Sequence, residues 1–545
     1  MIVFKTSLRR HRIFFALTCL VAIAVTGRLN AQGVHHSDVP APAFEVTGSI
    51  YPWEMHDEGI DLILDNMTGI AQVNSVYVLA VMHKEHRPFN SENLPGTYTF
   101  IHNPVRPQWD AEDSRVYFHP HMELYGRIKP MFSDTAWLRE TDWLKVMLDK
   151  AHARGLRAGC EVSHTYIPLE YLKANPDLQQ QDINGNTTGR PCTNNPDVMA
   201  YLLALYGDLS ANYDVDYIQT CMLLFSNSDE PTKGGTCFCP FCQKAAKAAG
   251  FDLAAAMPIL KDNPYAEPQL SQWQEFRRQS TAKAYKMVTD RIHQIDAHID
   301  FRLNDLNNRT SGLHVEDIKN NINSIHLSTH LEQKGIQTSE RASRIATTHY
   351  FAGPNIPVIP GIATRLLSTP ALVRSSVKIN VQGGAKGLGI KHYDGSPYSM
   401  LRAIRDGLAE NGVSGFTPTL GVEAENMTLS GYTADTWLQE KGVKASGTGT
   451  ATTSFTYPSG VYNVVISYAD EKDGQSTYTL LVGGKTKGSW KANEDVNCWR
   501  RKTLQKIKIN KGDEIKLTGA ADGGEGARID FIEFVPQNTS ANGKK

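Results

Sequence analysis

From residue 44 the chain alternates short apolar runs with longer stretches in which apolar residues recur at i, i+3 and i+4. Eight of the runs read as strands: 44–53, 74–82, 156–164, 215–224, 299–305, 324–331, 357–363 and 387–394. Amphipathic stretches between them, among them 134–154, 197–213, 268–295 and 397–411, read as helices. Strands alternating with helices over residues 43–412 predict an α/β domain, a (β/α)8 TIM barrel with long insertions. The largest insertion, 83–133, is rich in His, Pro and aromatic residues and is expected to shape the barrel mouth. Past residue 411 the texture changes. Residues 413–422 form a connection without helical period, and short alternating runs follow at 461–468, 477–482, 504–509, 514–518 and 527–534. Turns rich in Gly, Asp and Asn separate them, which predicts an all-β jelly-roll sandwich over 420–537. The polar tail 538–545 is expected to be disordered.

At the other end, Lys5, Arg9, Arg10 and Arg12 precede an apolar run at 13–26, and Ala31-Gln32 offers a cleavage point. Residues 1–31 therefore read as a signal peptide, and the mature chain is expected to be secreted or periplasmic, with no stable membrane insertion. An uncleaved, membrane-anchored form is the alternative. Cleavage removes five basic residues and no acidic ones, leaving 51 basic against 57 acidic and a formal charge of −6. A mildly acidic exported protein is a poor partner for nucleic acid. Seven of the eight cysteines remain, an odd number without regular spacing, which excludes a disulfide scaffold. Nothing in the composition fixes the oligomeric state.

The cysteines carry the most specific local pattern. Cys237, Cys239 and Cys242 form C-x-C-x2-C, and Cys192 lies 45 residues before the first of them. An amphipathic helix and a strand separate the two ends, so the four thiols make a clip between a helix start and the loop after the next strand. A closed thiolate set is the usual structural site of zinc. Disulfides or unpaired thiols are the other reading, although three cysteines within six residues do not easily pair among themselves.

Two stretches resemble known families. Residues 192–219, CTNNPDVMAYLLALYGDLSANYDVDYIQ, followed by CFCPFC, resemble the middle of the β-galactosidases of glycoside hydrolase family 42. That resemblance implies a glycosidase barrel and a zinc site made by Cys192, Cys237, Cys239 and Cys242. GVEAENMTLSGY, PSGVYNVVISY and ARIDFIEF resemble carbohydrate-binding modules of families 6 and 35. The second resemblance implies a structural calcium held by Glu423, Glu425 and Asp530, and oxygen-only ligands suit that ion. The alternative there is a solvated strand edge with three unrelated carboxylates.

The implied chemistry is hydrolysis of a glycosidic bond in a polysaccharide or oligosaccharide by two carboxyl groups, with no organic cofactor. Reacting groups of a (β/α)8 barrel come from the C-terminal ends of its strands. The family 42 acid/base and nucleophile positions, at the ends of strands four and seven, carry no carboxylate here: the strands read YIQTCM and PGIATR. Acids elsewhere at strand ends are Asp229 and Glu230, Asp305, Glu332 and Asp394, with Glu161 inside strand three. The pair expected to work is Glu230 or Asp305 with Glu332, while Asp394 orients sugar hydroxyls. Trp53 and Tyr393 are candidate stacking platforms. His83, His164 and Arg365 are candidate hydrogen-bond donors to sugar hydroxyls or to an anionic group. In the sandwich, Trp490 and Trp499 suit either glycan contact or the core. The missing acids leave an alternative, a non-catalytic glycan-binding protein built on a degenerate glycosidase barrel. A lyase, or a thiol hydrolase using Cys221, is a third.

Overall fold

The computed structural model describes residues 39–82, 101–102, 115–163, 166–220, 224–304, 309–327, 338–362, 364, 369–390 and 393–537. The leader 1–31 and the tail 538–545 lie outside the described residues, as does most of the 83–133 insertion.

Eight parallel strands form the first domain: β1 (Glu45–Ile50), β2 (Ser75–Met82), β3 (Arg157–Val162), β4 (Tyr217–Thr220), β5 (Asp300–Asn304), β6 (Ser324–Leu327), β7 (Val358–Ile362) and β8 (Gly387–Ile390). Each pairs with the next, and β1 pairs with both β2 and β8, which closes the barrel. The outer helices are α1 (Ile60–Ala71), α2 (Trp143–His152), α3 (Pro196–Asn212), α4 (Pro240–Ala248), α5 (Gln269–Ile295), α6 (Thr338–Ala352), α7 (Pro370–Gln382) and α8 (Tyr398–Glu410). Between β5 and β6 the described residues form short helical turns, Arg309–Ser311, Val315–Ile318 and Lys319–Asn321, and the extra helix α4 sits in the loop after β4. Local sequence starts these helices: Asn195 accepts from the Asp197 amide with Pro196 at the first helical position, and Thr369 with Pro370 does the same for α7. The single helix expected at 134–154 is two, Ala136–Glu140 and α2, because Asp142 breaks the run by capping Lys145.

The barrel floor is polar and paired. Glu45 of β1 meets Arg302 of β5 in a fork at 2.8 and 3.1 Å, and Arg157 of β3 approaches to 3.8 Å. The Arg302 guanidinium lies 3.5 Å above the Tyr217 ring, whose hydroxyl reaches Ser75 at 2.9 Å. Gly159 makes room for that ring, since a Cβ there would stand 2.5 Å from it. Burial opposes ionisation of Glu45, but the charge and hydrogen bonds of Arg302 outweigh it and hold the carboxyl at about 2.

The second domain is a sandwich of eleven strands: β9 (Gly421–Glu423), β10 (Thr428–Ser430), β11 (Thr433–Trp437), β12 (Glu440–Ala445), β13 (Thr448–Ser454), β14 (Gly460–Asp470), β15 (Thr477–Val482), β16 (Lys485–Lys491), β17 (Cys498–Ile509), β18 (Glu514–Ala520) and β19 (Ala527–Pro536). One sheet runs β11-β12-β19-β14-β17 with β9 on β19, and the other runs β10-β13-β18-β15-β16. The first sheet is docked on the barrel through α8. Arg405 pairs with Glu533 at 2.6 Å, and Arg402 reaches Glu423 at 3.1 Å and Asp530 at 3.5 Å. Glu440, buried at the start of β12, accepts from the Ser399 amide and hydroxyl at 3.1 and 2.9 Å and so caps α8 from the other domain. Trp499, stacked edge-on to Trp437, is buried in the barrel's own apolar cluster, and Trp490 is stacked on Tyr478 inside the sandwich. Both indoles are core residues.

The Glu45–Arg302 pair generates a test. Replacing Arg302 by Met strands a buried carboxylate and is expected to cost about 3–5 kcal/mol at pH 7. The folded-state value of Glu45 lies below its ordinary 4.5, so the pair's contribution is complete above about pH 4.5 and is lost as pH falls towards 2. Denaturant unfolding of wild type and variant at pH 7, 4.5 and 3 should show the difference shrinking across that window. A difference independent of pH would refute this account.

Candidate functional site

Inside the barrel, one layer above Tyr217, β3 and β4 bring Glu161 and Gln219 side by side in register. The Gln219 amide donates to Glu161 Oε2 at 2.5 Å, and both side chains are buried. Glu161 is the penultimate residue of β3, at the end of the strand from which barrel chemistry is drawn. Its place follows from period two: Gly159 and Glu161 face inward on β3, as Tyr217 and Gln219 do on β4.

Beyond β1 the chain turns through Tyr51 to Glu54. Glu54 Oε2 accepts from the Tyr51 amide at 2.6 Å, and the Tyr51 and Trp53 rings stack at 4.7 Å. Trp53 is fully buried against Tyr117, so it is a wall residue and presents no face to a ligand. Tyr393, after β8, is also fully buried. Its hydroxyl donates to Glu58 at 2.7 Å and accepts from Asn66, and its ring stacks on His102. Burial pulls His102 down to about 4, so it is neutral, with Nε2 on the Ser396 carbonyl at 2.7 Å. The expected stacking platforms are therefore packing residues.

Glu230, in the loop after β4, accepts from Lys233 at 3.0 Å, Tyr265 at 2.8 Å and Thr232 at 3.2 Å. The Lys233 hydrogen bond leads in holding its carboxyl below the usual range. A carboxylate committed to three donors is a poor proton donor, so this site does not favour Glu230 as a catalytic acid. Asp305, Glu332, His83, His164, Arg365 and Cys221 lie outside the described residues, as does the side chain of Asp394.

The four thiols do come together. Cys192 follows the ribbon strand Thr187–Pro191, Cys237 and Cys239 lie in the loop after β4, and Cys242 is in the first turn of α4. From Cys192 the sulfurs of Cys242, Cys239 and Cys237 stand at 3.5, 3.6 and 3.9 Å, and all four lie within 4.8 Å of one another. A disulfide would need about 2.0 Å. A tetrahedron with ~2.3 Å metal–sulfur bonds has edges of ~3.8 Å. The cluster is thus dimensioned to hold a metal ion, and it is the only such group of three or more His, Cys, Asp or Glu among the described residues. Amides point at the sulfurs: Gln181 N to Cys237 at 3.4 Å, Asn194 Nδ2 to Cys242 at 3.4 Å and Cys242 N to Cys239 at 3.5 Å. Phe225, Phe238, Phe251 and Trp273 exclude water around them.

The carboxylates of Glu423, Glu425 and Asp530 meet differently. Arg402 supplies positive charge to the first and last, while Glu425 Oε2 and Asp530 Oδ1 are buried without a hydrogen-bond partner. Burial raises Glu423 to about 7 and Glu440 to about 8, so the cluster holds more acid than Arg402 offsets.

No family model matches the chain. Over 134 residues it is 32% identical to an α-glucuronidase of Hypocrea jecorina, and over 137 residues 36% identical to a protein described as probable α-glucuronidase A of Aspergillus terreus. Each match takes in 21% of this chain and 16% of the relative, so the chain spans about a sixth of the length of the curated relatives it matches. Among solved structures, the glycoside hydrolase domain of PgaB (BpsB) from Bordetella bronchiseptica is 13% identical, covers 68% of this chain and 99% of its own, and gives a TM-score of 0.47. The carbohydrate-binding module CBM36, solved with calcium and xylotriose, is 27% identical over 21% of this chain and 98% of its own, at a TM-score of 0.18. Likenesses at these scores decide nothing about the reaction. The resemblance to family 42 finds no support in a family model.

The thiol cluster yields a measurable expectation. Elemental analysis of purified protein should find about one metal ion per chain, and Cys237→Ser should lose it while making the loop after β4 more open to proteolysis. A metal-free, fully folded wild type would count against the cluster as a metal site.

Proposed function

We propose that this protein is a secreted or periplasmic glycoside hydrolase that acts on a polysaccharide or oligosaccharide through two carboxyl groups at the barrel mouth. The observation that carries the reading is Glu161, a carboxyl held inside a closed (β/α)8 barrel near the C-terminal end of β3 by the Gln219 amide. The stretch similar to α-glucuronidases adds support for a sugar substrate. Glu161 is proposed as one of the pair. Its partner is sought among Asp305, Glu332 and Asp394, each following a barrel strand in sequence. A glycosidase acid protonates the leaving oxygen while the opposing carboxylate attacks or activates water. The Gln219 amide fixes the orientation of the Glu161 carboxyl inside the barrel. His83, His164 and Arg365 are proposed to orient sugar hydroxyls.

Zinc is the metal proposed for Cys192, Cys237, Cys239 and Cys242, because a buried four-thiolate set with no open position suits its structural role. Its part is to fix the loop after β4, with no step in the chemistry. Calcium is proposed beside Glu423, Glu425 and Asp530, whose oxygens are not gathered as the four sulfurs are, on the strength of the two buried oxygens that lack donors among the described residues. The sandwich is proposed as a glycan-binding module, whose contacts fall to its loops and its five-stranded sheet because the other sheet is docked on the barrel.

The test is product release from a broad panel of polysaccharides and oligosaccharides by wild type, Glu161→Gln and Glu332→Gln. A carboxyl of the catalytic pair should lose about 10²–10⁴-fold in rate when made an amide. Undiminished release by Glu161→Gln removes that residue from the pair. Binding without release from any glycan would favour the alternative, a glycan-binding protein on a degenerate barrel, for which Thr220 at the acid-free end of β4 already speaks.

A further inference from the structure

Between the loop after β4, the first turns of α5 and residues 309–314 lies a cavity of about 310 Å³, at the small end of the range of ligand pockets. All three segments belong to the side of the barrel where strands β4 and β5 end. Asp229, Gln274, Arg277, Arg278, Arg309 and His314 are among its lining residues.

Most of the charge there is already paired. Arg278 binds Asp317 through Nε and Nη2 at 2.5 and 2.7 Å and Glu275 through Nη1 at 2.9 Å, and Arg309 binds Glu316 at 2.6 Å. Two groups are left over. Arg277 is 1% exposed, has no ion pair among the described residues and leaves Nε without an acceptor. Its one hydrogen bond runs from Nη2 to the Ser226 carbonyl at 2.9 Å, and its plane lies 4.5 Å from the centre of the Trp273 ring. Burial draws it down to about 10, so it remains a cation at neutral pH. Asp229 is exposed, and its carboxylate makes no hydrogen bond or ion pair among the described residues. The backbone beneath it is fixed, because Gln274 donates to the Asp229 carbonyl at 3.1 Å and Ser226 N to Thr236 Oγ1 at 2.9 Å, next to Cys237.

Arg277 and Asp229 feel each other's charge but form no ion pair among the described residues, and a cavity bounded by such a cation and anion suits a neutral ligand that offers an acceptor and a donor together. An anion would satisfy Arg277 and oppose Asp229, and a cation would do the reverse. Adjacent hydroxyls of a sugar ring meet both needs, one oxygen accepting from the guanidinium while the next O–H donates to the carboxylate. We propose that this cavity is a subsite for a neutral pyranose, recognised through a vicinal diol by Arg277 and Asp229. The subsite rests on the carbohydrate reading above and adds to it a substrate class and two specificity residues.

Calorimetric titration with the methyl glycosides of glucose, galactose, mannose and xylose, and with methyl glucuronide, tests it on wild type, Asp229→Ala and Arg277→Lys. A neutral glycoside should bind wild type and be weakened at least tenfold by either substitution, with metal content unchanged. Asp229→Ala, on an exposed loop residue, keeps the test sound if Arg277→Lys fails to fold. Binding unaffected by Asp229→Ala, no binding of any neutral glycoside, or a preference of the wild type for the glucuronide would overturn the subsite. A protein that binds these sugars through both residues yet hydrolyses no glycan would remove the enzymatic reading and leave the subsite standing. One that hydrolyses glycans while its sugar binding ignores both substitutions would remove the subsite alone.

Discussion

A closed parallel barrel has no edge, so each polar side chain turned into it must find its partner inside. Glu45 and Arg302 meet that constraint across the barrel, from the first strand to the fifth, and Arg157, Tyr217 and Ser75 complete the layer. The arrangement fixes more than charge. Tyr217 sits under the Arg302 guanidinium only because Gly159 leaves space, and that register brings Gln219 opposite Glu161 one layer higher. Ion pairs of this kind seldom add net stability over an apolar core, but they penalise other registers heavily, since a slip of one residue would strand a buried charge. The placement of the proposed catalytic carboxyl is a consequence of the floor beneath it.

The same economy joins the domains. Helix α8 closes the barrel with one face and carries Arg402 and Arg405 on another, both buried against carboxylates of the sandwich. Glu440 completes the helix start that the barrel's own Pro397 leaves uncapped. With Trp499 sunk in the barrel's apolar cluster, the sandwich is a fixed neighbour, and whatever it holds keeps a constant bearing on the barrel. A tether would raise local concentration without direction; a docked module also sets orientation.

Much of this fold was legible because apolar period is a property of the chain itself: the eight strands, the long helices 268–295 and 397–411 and the start of the sandwich all announce themselves. Side-chain employment was less legible. Trp53, Tyr393, Trp490 and Trp499 have the composition of sugar platforms, yet all are packed away, because an aromatic ring on a strand end serves wall or ligand according to contacts made far off in sequence. Tyr393 is held by Asn66, 327 residues away, and no local pattern encodes that. Glu230 looked available at a strand-end loop, but Tyr265 and Lys233 claim it. The inward place of Glu161 is legible from period two, since it shares a face with Gly159, a glycine that the crowded interior requires.

The thiol cluster shows how one local structure can fix the geometry of another at a distance. It lies in an aromatic pocket next to α5, and the loop it anchors returns to the rim of the barrel. Gln180 ties the ribbon before Cys192 to Thr236 at 2.6 Å, Thr236 holds Ser226, and Ser226 takes the Arg277 guanidinium. The first link is buried and the other two are half-buried, and together they connect the sulfur-bearing loop to Asp229 and Arg277. A loop of that length without such an anchor would sample many conformations, and two charged groups on it would hold no fixed relation. The cost of burying four sulfurs, and an arginine that forms no ion pair among the described residues, is then understandable. Burial works against the charge of Arg277, and Asp229 is the leading influence that opposes it, so the loop that the cluster fixes also carries the carboxylate that supports this cation.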